Sequence, residues 1–260
     1  MAAGKIDPME QFMVEPVLGR RIEIGGFDLS FTNSALFMIV VFVLLALFVS
    51  GGLKRQLIPG RWQVAVEGAV SFIDNMVLTS IGPEGKKFAP YLFSLFFFIL
   101  FANLVGVMPI AILPGLHTFA VTSHITVTAV LAFLSFGIVL AVGFWRHGFH
   151  FFSLFVPHGA PGWLMPVIIP VEFVSFMVRP FSLGLRLFVA MTAGHILLEV
   201  FGSFVVQGLQ AASPLGSFVS LLSFIMIIGV SALELLVCAI QAYVFALLTS
   251  LYLNDAVHLH

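Results

Sequence analysis

Glu172, Arg179 and Arg186 recur at intervals of seven, a spacing that puts all three on one face of a helix. Glu234 and Gln241 repeat the interval further along, and His195 and Glu199 form an i,i+4 pair. Acids and imidazoles in series are what a proton relay needs, because His and carboxylates of raised pKa exchange protons near neutral pH. The same spacing also suits structural ion pairs that lock two helices together. Arg186 stands out among them. It lies within Ser182-Leu183-Gly184-Leu185-Arg186-Leu187-Phe188, deep in the longest apolar stretch of the chain. A guanidinium there costs roughly 2.5–3.5 kcal/mol on insertion scales. It cannot escape by losing its proton. A snorkelling Arg would sit near the end of its apolar run, and Arg186 does not.

These groups must be held by elements of unusual composition. Of 260 residues, 60% are hydrophobic and 9% charged. A soluble domain carries about 25% charged residues, so the composition indicates a polytopic membrane protein in one domain, residues 1–260. A formal net charge of −1 argues against nucleic acid or another polyanion as partner. The single cysteine, Cys238, excludes an internal disulfide and any cysteine-rich metal site.

The sequence predicts an all-α protein with about five membrane-embedded helices and one interfacial amphipathic helix. Residues 1–34 form a polar segment with five acids and no signal-peptide core. A first span covers 35–53. Over 61–81, Gln63, Glu67, Ser71 and Asp74 take one helical face and Trp62, Val66, Val70, Ile73 and Val77 the other, the pattern of a helix lying in the interface or packed on protein. Spans at 90–108 and 122–145 form a hairpin broken by Met108-Pro109 to Pro114-Gly115. Residues 161–207 and 214–253 are each too long to stand upright across about 30 Å of hydrocarbon. They read as a tilted helical hairpin turning at Ala212-Ser213-Pro214. Lys54, Arg55, Arg61, Lys86, Lys87 and Arg146 cluster between alternate spans, which places them in the cytoplasm or matrix, with the N-terminus outside and the C-terminus inside.

The run Pro180 to Phe188, followed by Met191-Thr192-Ala193-Gly194-His195, closely resembles subunit a of F-type ATP synthases. Gln241-Ala242-Tyr243-Val244-Phe245 and Leu248-Thr249 resemble that family's last helix; Phe101-Ala102-Asn103-Leu104 and Met9-Glu10-Gln11-Phe12 also match. The resemblance covers essentially the whole chain. It implies a stator subunit, not catalytic by itself, whose tilted hairpin packs on a ring of c subunits. It also implies b and b′ peripheral-stalk subunits and a soluble ATPase head as partners, in a bacterial or mitochondrial inner membrane. Arg186 matches the family's essential arginine, separating two offset aqueous half-channels. His195 and Glu234 match an interacting pair in the outer half-channel, and Glu172 an acid of the inner one. Gln241 matches a residue near the arginine, and Asn103 a polar residue near the outer path. The order of His195 before Glu234 is that of mitochondrial and alpha-proteobacterial relatives. Ala190 stands where many relatives have Asn, so one polar contact beside the arginine is missing.

A fixed positive charge suits that role on physical grounds. It repels a proton that would run straight through, and it lowers the pKa of a carboxylate brought beside it. The resemblance implies no cofactor. His147, His150 and His158 have the look of a loop metal site but lack a nearby acid or Cys, so no metal is expected. A stand-alone ion channel or secondary transporter would also bury charges, but it would usually show inverted repeats, and none is evident. A membrane-embedded enzyme would need a nucleophile or metal cluster, and neither HExxH nor GxSxG is present.

Overall fold

Ser213 starts the last helix of the chain by capping it: its hydroxyl accepts a hydrogen bond from the Gly216 amide at 3.1 Å and its carbonyl one from Ser217 at 2.9 Å. Pro214 occupies the first helical position, where a missing N–H costs nothing. A computed structural model of the chain describes residues 23–24, 27–28, 30–52, 60–108, 120–155, 164–211 and 213–258. Its helices are α1 (Asn33–Gly52), α2 (Arg61–Ser80), α3 (Ala89–Val107), α4 (Ile125–His147), α5 (Met165–Gln210) and α6 (Pro214–Val257). Short 3₁₀ turns cover Pro83–Lys87, Val121–Ser123 and Gly148–Phe155. The only strands among the described residues are β1 (Glu23–Ile24) and β2 (Phe27–Asp28), an antiparallel pair in the N-terminal segment.

The chain is all-α, and five helices are long and apolar enough to cross a membrane: α1, α3, α4, α5 and α6. α2 is the sixth and does not qualify. α5 and α6 form a long hairpin, of 46 and 44 residues. At 1.5 Å per residue each is about 65–70 Å long. α5 stays helical through Pro170 and Pro180. Each proline leaves one carbonyl without its usual donor, and near the second the Ser182 hydroxyl donates to Arg179 O at 3.0 Å.

Several boundaries differ from those the sequence suggests. α5 runs past Gln207 to Gln210, since Gln and Leu are good helix formers and Pro214 comes only after the helix has ended. α6 extends one turn past Leu253 to Val257. The third span begins at Ile125, not Thr122, because Val121–Ser123 is a separate turn and His124 is extended. Met9–Phe12, Lys54, Arg55, the whole of 109–119, His158 and residues 161–163 lie outside the described residues.

The chain divides into two compact units. The first is Met1–Leu44, Ile99–His124 and Phe188–Gln241. Here α1 buries only Ser34, Phe37 and Val41, a stripe at helical spacing, and turns its other apolar side chains outward. In the hairpin, Gly208 and Gly216 meet back to back. A Cβ on Gly208 would lie 2.5 Å from Gly216 O, and one on Gly216 would lie 2.6 Å from Gly208 O. Nearby, the Ser220 hydroxyl donates to Val205 O at 3.0 Å.

The second unit is Leu45–Phe98, Ile125–Leu187 and Ala242–His260. Its aromatic core joins Phe48, Trp62, Phe93, Phe96 and Phe97, with ring centroids 4.6–5.8 Å apart. The Trp62 indole donates to Phe48 O at 3.1 Å. α2 departs from its two-faced reading. It buries Gln63 with Val66, Ile73, Met76 and Val77, while Trp62, Val70 and Phe72 are exposed. Apolar exposure is not penalised where lipid is the solvent, so hydrophobicity does not mark the packed face. Gln63 Nε2 donates to Glu67 Oε1 at 2.8 Å, while the buried Gln63 Oε1 has no hydrogen-bond partner among the described residues. At the Pro83–Lys87 turn, the Arg146 guanidinium donates to Glu84 and holds its carboxyl below the ordinary value of 4.5. That pair therefore supports the fold above pH 4.5 and weakens as acid protonates Glu84.

The crossing of Gly208 and Gly216 yields a direct test of the hairpin. Gly208→Ala pushes a methyl into a backbone carbonyl and should destabilise by on the order of 1–3 kcal/mol, read as a lower melting temperature in mild detergent. Gly202→Ala, which meets nothing within 4 Å, should be neutral or stabilising by about 0.5–1 kcal/mol. Equal melting temperatures for the two variants would contradict the close crossing.

Candidate functional site

In the first unit, α5 and α6 run antiparallel from their turn, and the register brings His195 opposite Glu234. His195 Nδ1 lies 3.6 Å from Glu234 Oε1, within ion-pair range but longer than a hydrogen bond. Glu234 is 2% exposed, and neither of its oxygens nor His195 Nε2 has a hydrogen-bond partner. Room for the carboxylate comes from Gly194, where a Cβ would stand 2.7 Å from Glu234 Oε1. α3 closes a further side. A Cβ on its Gly106 would approach Ala120 at 2.8 Å and His195 Nε2 at 3.6 Å. One turn earlier, fully buried Asn103 donates from Nδ2 to Cys238 O at 3.3 Å and keeps Oδ1 unpartnered. Cys238 is one turn beyond Glu234, with Sγ 4.0 Å from Met191 Sδ. Thr192, one turn before His195, donates to Ser123 O at 3.4 Å.

This cluster thus joins three of the residues singled out in the sequence, Asn103, His195 and Glu234, from three helices. An imidazole and a carboxylate 3.6 Å apart are within ion-pair range and could exchange a proton through a bridging water. Unpartnered polar atoms on several sides give the site the donors and acceptors that bind water. Glu199 sits part-buried one turn past His195, and Gln241 is partly exposed on α6 with no hydrogen bond to another described residue.

The remaining residues of the series fall in the second unit, on the part of α5 before Phe188. Arg179 is held closely. Its Nη1 donates to Asp255 Oδ2 at 2.8 Å, and its guanidinium lies 5.4 Å from the Phe176 ring centroid and 4.9 Å from that of Tyr252. Arg186, two turns on, is exposed, and among the described residues no carboxylate pairs with it. Tyr252 lies within electrostatic range of Arg186. Glu172, two turns before Arg179, is partly exposed and joins no described residue by hydrogen bond or ion pair. The seven-residue repeat therefore carries three different environments on one face.

The histidines of the α4 end serve structure. His147 Nε2 lies 3.2 Å from Val257 O, and His258 Nδ1 lies 2.9 Å from Asn254 Oδ1. His150 is exposed. Among the described residues no group of three His, Cys, Asp or Glu gathers to hold a metal. Asp255 and Tyr252 escape a reading by sequence alone because they lie at the C-terminal end of the last apolar run. The signal for them is Arg179 itself, since an arginine within an apolar helix needs a partner.

The match to a family model, ATP synthase A chain, covers residues 34–254. Proteins named ATP synthase subunit a align nearly end to end. That of Sphingopyxis alaskensis is 65% identical over 99% of this chain and 98% of its own length. That of Rhizorhabdus wittichii is 62% identical over the same shares. That of Mesorhizobium japonicum is 49% identical over 99% of each. With the match running from the first turn of α1 to the last turn of α6, the chain belongs to the ATP synthase A chain family.

Proposed function

We propose that this chain is the proton-translocating stator subunit of a rotary ATP synthase in a bacterial inner membrane. Its long hairpin faces the c-subunit ring, with b and b′ stalk subunits beside it and the soluble ATPase head reached through the complex. The relatives' printed name, ATP synthase subunit a, supports membership of that complex. The N-terminus is outside and the C-terminus inside, following the distribution of Lys and Arg.

The observation that carries this reading is the contrast between two arginines on one face of α5. Arg179 is neutralised by Asp255, whereas Arg186 is exposed and has no ion-pair partner among the described residues. A charge that cannot be lost and has no internal partner is available to a carboxylate from outside the chain. Protons enter through the outer half-channel by way of Asn103, His195 and Glu234. They pass to a ring carboxylate, which regains its proton before it turns into lipid. After rotation the carboxylate meets Arg186, whose charge favours the ionised form and expels the proton toward Glu172 and the inner side. Gln241 lies near the arginine in the family pattern and helps orient it. Each elementary charge moved contributes about 2.3 kcal/mol per 100 mV of membrane potential.

A stand-alone channel or transporter remains the rival, and co-purification separates the two. A ring of small subunits and an ATPase head should accompany this chain in mild detergent. Recovery of the chain alone, in a form that conducts ions, favours the rival.

Two substitutions test the roles. Arg186→Ala should abolish coupled ATP synthesis, and Arg186→Lys should lose most of it, because a compact ammonium lacks the planar fork and loses its proton when desolvated. Near-normal synthesis by both, at normal subunit levels, would remove Arg186 from the mechanism. For the buried pair, His195→Gln or Glu234→Gln should slow ATP-driven proton pumping on the order of tenfold or more, as for a positioned proton-transfer group. The exchange His195→Glu with Glu234→His should pump faster than a double variant whose losses simply add. A strictly additive result would dissolve the pairing.

A further inference from the structure

Arg179 stands between Glu172 and Arg186 on one helical face, seven residues from each. At 1.5 Å per residue those intervals are about 10 Å. The proposed inner route from Arg186 to Glu172 therefore runs past a second guanidinium. An uncompensated cation at that point would repel the proton just as Arg186 does. The surroundings of Arg179 are built against that outcome. Asp255, from the last turns of α6, accepts its hydrogen bond at 2.8 Å. Phe176 from its own helix and Tyr252 from α6 lie beside the guanidinium at 5.4 and 4.9 Å. The side chains of Arg179 and Asp255 are 23% and 36% exposed, so solvent screens the pair only partly. Tyr252 also lies within electrostatic range of Arg186. Arg179, Asp255 and Tyr252 thus form one network within electrostatic range of Arg186.

We infer that Asp255 is a specificity-determining residue for proton release: it cancels the charge of Arg179, so that Arg186 is the single effective positive barrier on this face of α5. This inference rests on the role of Arg186 proposed above. It differs from a simple clamp between α5 and α6, because a clamp needs the pair while a cancelled charge needs only a net charge of zero.

That difference sets the experiment. Passive proton conduction is measured in membranes stripped of the ATPase head, at matched levels of this chain and of the ring. Asp255→Asn leaves Arg179 bare and should lower conduction about tenfold. The neutral double variant Arg179→Gln with Asp255→Asn, which has no salt bridge at all, should conduct within about twofold of wild type. Conduction by the double variant as poor as by the single one, or an unimpaired single variant, would overturn the inference. Should Asp255→Asn fail to accumulate, the neutral double variant decides alone. Normal accumulation and conduction support charge cancellation, whereas its loss from the membrane shows a clamp. Arg186→Ala is assayed in parallel for coupled synthesis. If it synthesises ATP normally, the underlying reading fails; if it is inactive while Asp255→Asn is normal, only the present inference fails.

Discussion

A guanidinium keeps its charge wherever the chain puts it, and the organisation of α5 follows from that constraint. In hydrocarbon the charge must be paired, hydrated or offered to a partner. α5 uses two of these solutions two turns apart. Arg179 is paired with Asp255 and flanked by aromatic rings, while Arg186 is left exposed with no ion-pair partner among the described residues. A continuous 46-residue helix holds both on one face at fixed spacing, which a broken helix or two upright spans would not. Two internal prolines, Pro170 and Pro180, do not interrupt it.

The acid and imidazole chemistry depends equally on small residues. The His195–Glu234 pair depends on Gly194, which leaves space for the carboxylate, while Gly106 lets Ala120 approach α3 closely next to the imidazole. Neither glycine has a positive φ, so the requirement is for volume and not for backbone freedom. The crossing of Gly208 and Gly216 near the turn does the same for the two backbones. Small residues at helix contacts are the means by which membrane helices gain dispersion energy without a hydrophobic driving force. Here they also set the register that makes residues about twenty positions either side of Pro214 neighbours.

Much of this was legible in the residues themselves. Long apolar runs without a polar break require two long helices, and the cap at Ser213-Pro214 is written in the residue types. His195 and Glu234 stand at nearly equal counts from that turn, and this geometry alone brings them level. Other features were not legible, for physical reasons. Lipid exposure removes the correlation between hydrophobicity and burial, so the packing face of α2, with Gln63 inside and Trp62 outside, cannot be read from its pattern. Gln207-Gly208-Leu209-Gln210 looks like the start of a loop but continues the helix, and Gly208 is kept there by its close crossing with Gly216. Asp255 sits two residues past Leu253, where the last long apolar run ends, and its pairing with Arg179 emerges only when α6 extends a turn further.

A cryo-EM map of the assembled complex would test the central claim most directly, through the surroundings of the Arg186 guanidinium. The account predicts that Arg186 faces the ring within about 4–6 Å of a ring carboxylate's path, the range in which a charge shifts its neighbour's ionisation. It also predicts that Arg179 stays bound to Asp255. A map in which Arg186 turns inward to pair with a carboxylate of its own chain, with no ring carboxylate passing near it, would contradict the account.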